Sequence, residues 1–134
     1  MRGTGPVRLD LDDLNAERDF DPFLTYSRTK LANLLFSYEL QRRQPALTVV
    51  ALHPGMVRTD LGRRFPRVQV ALMTAFLLSV RHGARPIVRL ATDADVVAGG
   101  YYNRFTLASS AAASHDTAVV RRLWDATVEI RGPF

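Results

Sequence analysis

Tyr26 and Lys30 are the two side chains in this 134-residue chain whose types and spacing best suit acid/base chemistry. On a helix, positions i and i+4 rise from one face, so the phenol and the ammonium would stand side by side. A phenol ordinarily titrates at about 10, and an opposite charge within about 4–6 Å favours its ionised form. A tyrosine tuned in this way can protonate a carbonyl oxygen or take the proton of an alcohol. Composition draws attention to the same place. Of the 18 basic residues, 17 are arginine and Lys30 is the single lysine, which suggests a position that needs a compact ammonium rather than a planar fork. Taken alone, Tyr-x-x-x-Lys is a short pattern that also reads as a solvated surface pair.

The elements around the pair give it context. Pro22 opens a helix predicted over residues 22–43; Gln41-Arg42-Arg43 place cations at its carboxyl end and Pro45 closes it. Leu31, Ala32, Leu34, Leu35, Phe36, Tyr38 and Leu40 leave this helix little polar face, which predicts burial on two sides. Residues 47–52, Leu-Thr-Val-Val-Ala-Leu, read as a fully buried parallel strand. A ligand at the carboxyl end of such a strand would meet the loop from His53 to Leu61. Three further helices are expected, over residues 68–81, from about Gly83 through Ala91, and from Asp116 to Ile130, the last anchored by Leu123 and Trp124. Gly99-Gly100 reads as a turn into a short strand at Tyr101-Tyr102-Asn103, residues 108–114 as a small-residue loop, and the first 22 residues as loop.

Composition bounds the function classes. Hydrophobic residues make up 47% and charged residues 23%, the balance of one globular domain. The net charge of +5 is spread along the chain without a basic block and interleaved aromatics, which argues against nucleic acid. The absence of cysteine excludes disulfides, thiolate metal sites and a cysteine nucleophile, and fits a reducing cytoplasmic setting. His53 stands without a histidine or carboxylate at metal-ligand spacing, so no metal site is expected. Asp10, Asp12 and Asp13 read as a solvated loop or a cap rather than paired catalytic carboxylates. The apolar run from Val68 to Val80 is too short to span a bilayer, yet flanked by Arg63, Arg64, Arg67 and Arg81 it reads as a peripheral membrane contact.

Tyr26-x-x-x-Lys30-Leu31-Ala32-Asn33, the following strand, and then His53-Pro54-Gly55-Met56-Val57-Arg58-Thr59 together resemble the short-chain dehydrogenase/reductase family, nearest its retinol dehydrogenase-like branch. The resemblance extends from Leu9 to Asp125. It implies an α/β fold, the carboxyl-terminal half of a Rossmann-type doubly wound parallel sheet with about two strands and four helices. It also implies hydride transfer between NAD or NADP and a small-molecule alcohol or carbonyl. Tyr26 would be the general acid/base; Lys30 would lower its pKa and hold the nicotinamide ribose. Pro54, Gly55, Val57 and Thr59 would meet the nicotinamide end, Thr59 through its hydroxyl. An apolar lid over residues 68–80 would favour a lipophilic substrate. The family's subunits often associate through the tyrosine helix, which implies a homo-oligomer through residues 26–43.

The departures are as specific as the match. No glycine lies between Gly5 and Gly55, so the family's glycine-rich dinucleotide loop is absent, and the first serine is Ser27, after the tyrosine rather than before it. The chain therefore reads as a single partial domain, residues 1–134, without a dinucleotide-binding half, and as marginal or oligomeric by itself. The competing reading is a non-catalytic fragment that serves as a dimerisation or interaction module.

Overall fold

The computed structural model describes residues 7–18, 20–55 and 79–132. In chain order the described elements are α1 (Pro22–Arg43), β1 (Ala51–His53), α2 (Val80–Thr92), β2 (Tyr101–Asn103), β3 (Thr106–Ala108), a 3-10 turn (Ala112–His115) and α3 (Thr117–Arg131). The architecture is α/β, a partial Rossmann-like arrangement, with a three-stranded sheet in the order β1-β2-β3.

Helix α1 starts where its sequence directs. Asp21 lies in extended backbone and its carboxylate accepts the Leu24 amide at 2.8 Å, while Pro22 occupies the first turn, where a missing N–H costs nothing. Arg42 and Arg43 close it against the negative end of the dipole. Helix α3 is capped in the same manner by Asp116, which accepts from the Ala118 and Val119 amides. The two helices pack on each other through Leu35, Val120 and Leu123, with Leu31, Ala32 and Val119 around them. Leu9, Leu11 and Leu14 complete this core from the amino-terminal loop, so that stretch is irregular but anchored. Asp13 organises the loop by accepting the Glu17 and Arg18 amides, which hold its carboxyl below the usual range.

Four details depart from the sequence expectation. Helix α1 is buried on one side only, at Leu35 and Glu39, because one helix alone, α3, packs along it among the described residues. The predicted strand at 47–52 is ordered as strand only at 51–53, half-buried rather than buried: β1 lies at a sheet edge, and pairing begins where Gly100 and Tyr101 come alongside. A third strand, β3, folds back antiparallel on β2 around Arg104-Phe105. That turn carries no glycine; Arg104 takes φ +57° and its amide donates to the His53 carbonyl at 2.8 Å. Helix α2 starts at Val80 and runs through Gly83, because Ser79 caps it through the His82 amide. The expected helix over 68–81 lies, up to residue 78, outside the described residues.

The β1-β2 junction depends on a glycine. A Cβ on Gly100 would come within 2.8 Å of the Val97 carbonyl oxygen, 2.9 Å of Leu107 Cδ1 and 3.0 Å of Tyr102 Cε2. The Val97 carbonyl is backbone already bonded to the Gly100 amide, so it cannot yield cheaply. Gly100→Ala is expected to cost about 1–3 kcal/mol of stability, read as a lowered urea midpoint at unchanged slope. An unchanged midpoint would contradict this packing. Among the described residues no helix is long and apolar enough to cross a membrane.

Candidate active site

The helix rise places Tyr26 and Lys30 one turn apart, and the side chains do meet. The Lys30 ammonium lies over the Tyr26 ring, 5.3 Å from its centroid, within the range of a cation–π contact. Both side chains are exposed, Tyr26 by 49%. The ammonium sits on the ring face, and the flexible lysine stem lets it reach toward the phenol oxygen without moving the helix. Hydroxyls next to the pair are turned inward: Ser27 donates to the Phe23 carbonyl and Thr29 to the Thr25 carbonyl, both at 2.9 Å. Tyr26 and Lys30 thus form an exposed polar pair near this end of α1, with Asn33 one turn further on, also exposed.

Pro54 and Gly55 follow directly on the carboxyl end of β1. Gly55 takes φ +91°, a conformation that disfavours side chains, and its amide donates to His53 Nδ1 at 3.1 Å. That bond occupies the His53 nitrogen nearest the loop, which makes His53 a turn residue. No hydrogen bond or ion pair among the described residues joins Pro54 or Gly55 to Tyr26 or Lys30. Val57 and Thr59, the other expected cofactor contacts, lie outside the described residues. Among the described residues no three histidine or carboxylate groups gather closely enough to hold a metal ion.

At the opposite end of α1 the structure assembles a polar cluster that the sequence did not announce. Tyr38 donates its hydroxyl to Ser110 Oγ at 2.8 Å; Ser110 Oγ lies 2.7 Å from Ser114 Oγ and 2.9 Å from His115 Nε2. Ser114 is fully buried and donates to the Ala111 carbonyl, and the Tyr38 and His115 rings stack at 5.5 Å. Beside it, Glu39 is 2% exposed and bound by two arginines: Arg42 through Nε and Nη2 at 2.8 and 2.6 Å, and Arg43 through Nε at 2.6 Å. The Arg42 hydrogen bonds, ahead of those from Arg43, outweigh burial and pull the Glu39 carboxyl down to about 2. Arg43 also lies over Trp124, 4.7 Å from its ring, and Trp124 stacks on Phe36. These partners are up to 72 residues apart, and no local pattern in the chain links them.

With the tyrosine helix, the strand and the Pro-Gly turn in place, the likeness to known proteins is specific. Human retinol dehydrogenase 14 is 38% identical over 127 residues, matching 87% of this chain and 38% of that protein. The proteins it matches are short-chain dehydrogenase/reductases. A Streptomyces protein of the same type, assigned as the daunorubicin C-13 ketoreductase DnrU, is 33% identical over 128 residues, covering 93% of this chain and 45% of its own length. A crystal structure of an uncharacterised protein from Mycobacterium paratuberculosis superposes with a TM-score of 0.68 at 28% identity, over 92% of this chain and 44% of that one. No family model matches. The chain spans about two fifths of the length of the curated relatives named here.

Proposed function

We propose that the chain carries the acid/base pair of an NAD(P)-dependent oxidoreductase that interconverts an alcohol and a carbonyl on a lipophilic small molecule. The observation that carries this reading is the exposed Tyr26–Lys30 pair on one face of α1, with the ammonium 5.3 Å from the ring centroid. In reduction Tyr26 Oη gives its proton to the carbonyl oxygen; in oxidation it takes the proton of the alcohol. Lys30 holds the phenolate that results and offers its remaining N–H donors to ribose hydroxyls. Bound NAD or NADP would supply the hydride chemistry. The donors on α1 and the open turn at Gly55 fit the nicotinamide end of such a cofactor, with Val57 and Thr59 completing it. No glycine-rich turn among the described residues would cradle a pyrophosphate, so that end must be held by other sequence. Phe23, at i−3 from Tyr26 and 81% exposed, with Phe20 and Leu24 also exposed, gives the approach an apolar character suited to a lipophilic substrate.

The same exposed aromatics favour the second reading, an interaction module whose α1 face docks on a second copy or a relative. Calorimetry of the purified chain with NAD, NADH, NADP and NADPH separates the two. The enzymatic reading expects binding that weakens at least about tenfold in Lys30→Ala, the worth of a charge-assisted hydrogen bond, and less in Tyr26→Phe. A folded sample that binds none of the four, yet self-associates until Phe23→Glu is introduced, would overturn it in favour of the module.

A further inference from the structure

The carboxyl-terminal half of α1, the 3-10 turn and the first turn of α3 line an open cleft of about 180 Å3. Taking a water's share of liquid volume as about 30 Å3, it has the room of roughly six waters, enough for a small ring-bearing acid and too little for a dinucleotide. Tyr38, Glu39, Arg42, Ser114, His115, Thr117 and Arg121 line it, with Val120 supplying an apolar wall. It lies about 18 Å along α1 from Tyr26, at 1.5 Å per residue over the intervening turns.

Charge and hydrogen-bond accounting define what it would accept. Both Glu39 oxygens are claimed, one by Arg42 and the other shared between Arg42 and Arg43, so one carboxylate faces two guanidiniums and a surplus positive charge remains. Arg121 adds a second cation, exposed and without an ion-pair partner among the described residues. The hydroxyl chain also has a direction. Tyr38 donates to Ser110 and Ser114 donates to the Ala111 carbonyl, so the Ser110 proton must go to Ser114 to avoid two facing lone pairs. His115 Nε2 must then donate to Ser110, which leaves Nδ1 as the ring nitrogen open to another partner. The serines and Tyr38 are satisfied internally and hold the cavity's shape; the groups left open on its wall are the guanidinium N–H donors of Arg121 and Arg42, the Thr117 hydroxyl and the His115 Nδ1 acceptor.

We infer that this cavity is a binding site for a small organic oxyanion, a carboxylate or phosphate monoester carried on an aromatic or aliphatic body. Arg121 and the free N–H groups of Arg42 take the oxyanion, and the body packs against the Tyr38 ring and Val120. The site does not depend on the Tyr26–Lys30 pair.

The test is titration of the 15N-labelled chain, followed by amide shifts, with benzoate, phenyl phosphate and neutral benzyl alcohol as probes. Saturable shifts confined to residues around Ser114 to Arg121 are expected with the two anions and at least about tenfold weaker with benzyl alcohol. Arg121→Glu, at a solvent-exposed position that leaves the core intact, should weaken the anions at least about tenfold, and Tyr26→Phe should leave them unchanged. Equal binding of the alcohol and the acids, shifts centred elsewhere, or an Arg121→Glu chain that binds benzoate like the wild type would each overturn the site.

Discussion

Leu35→Ala is expected to remove about 3 kcal/mol of stability, a large share of what a domain with so small a core possesses. Leu35 is fully buried and joins Val120 and Leu123 at the centre of the only apolar cluster among the described residues. Truncation removes the transfer free energy of its methyl-bearing carbons and leaves a cavity that α1 and α3, each pinned by its own cap, cannot collapse into. Urea unfolding followed by Trp124 fluorescence reads the loss, since Trp124 lies on the face of α3 that packs on α1. Leu35→Met conserves volume and should cost under about 1.5 kcal/mol. Where the alanine variant does not fold, the methionine variant still decides: a loss as large as that expected for alanine would mean that the packing around Leu35 is misjudged.

Glu39→Gln should cost on the order of 2 kcal/mol at neutral pH, with an effect that fades in acid. The carboxylate is buried and accepts from two guanidiniums, whereas glutamine would turn an N–H toward one of them and leave a buried donor unpaired. The Glu39 value falls from the ordinary 4.5 to about 2 on folding. A depressed acid contributes stability that is present above the unfolded value and lost as pH falls from about 4.5 toward about 2. The full linkage is discounted because Arg42 is 57% exposed and its charge is screened. Stability of the wild type and of Glu39→Gln measured across that window should converge as pH drops. A gap that stays constant down to about pH 2 would show that the carboxylate's charge contributes nothing and that the loss is one of packing.

Much of the fold was legible because its signals are local. The limits of α1 follow from Asp21, Pro22, Arg42, Arg43 and Pro45, all acting within a turn of the helix end, and the structure places the helix at Pro22–Arg43. The caps of α3 and its anchors Leu123 and Trp124 are equally local, and both side chains are buried as expected. Strand β3 was not legible: its turn uses Arg104 at positive φ where glycine or asparagine would have marked it, and the Arg104 amide, donating to the His53 carbonyl across the sheet, supports that conformation. The strand expected over 47–52 is ordered only at 51–53 for a related reason. Apolar content predicts a strand, but which residues pair depends on where Gly99 and Gly100 approach, and Gln41 takes the Val49 amide before the ladder begins.

The candidate site divides in the same manner. The Tyr26–Lys30 pair was readable from residue order, because i,i+4 geometry is a property of any helix and needs no long-range contact. Tertiary structure alone decided that the pair stands exposed on an open face of α1 and that Leu9, Leu11 and Leu14 close the core from a loop. It also decided that Tyr38, Ser110, Ser114 and His115 converge beside a cavity walled by Arg42 and Arg121. Those groups meet only because α3 packs back on α1 across about 70 intervening residues. No periodicity or spacing encodes that approach; the burial of Leu35 against Val120 and Leu123 brings it about.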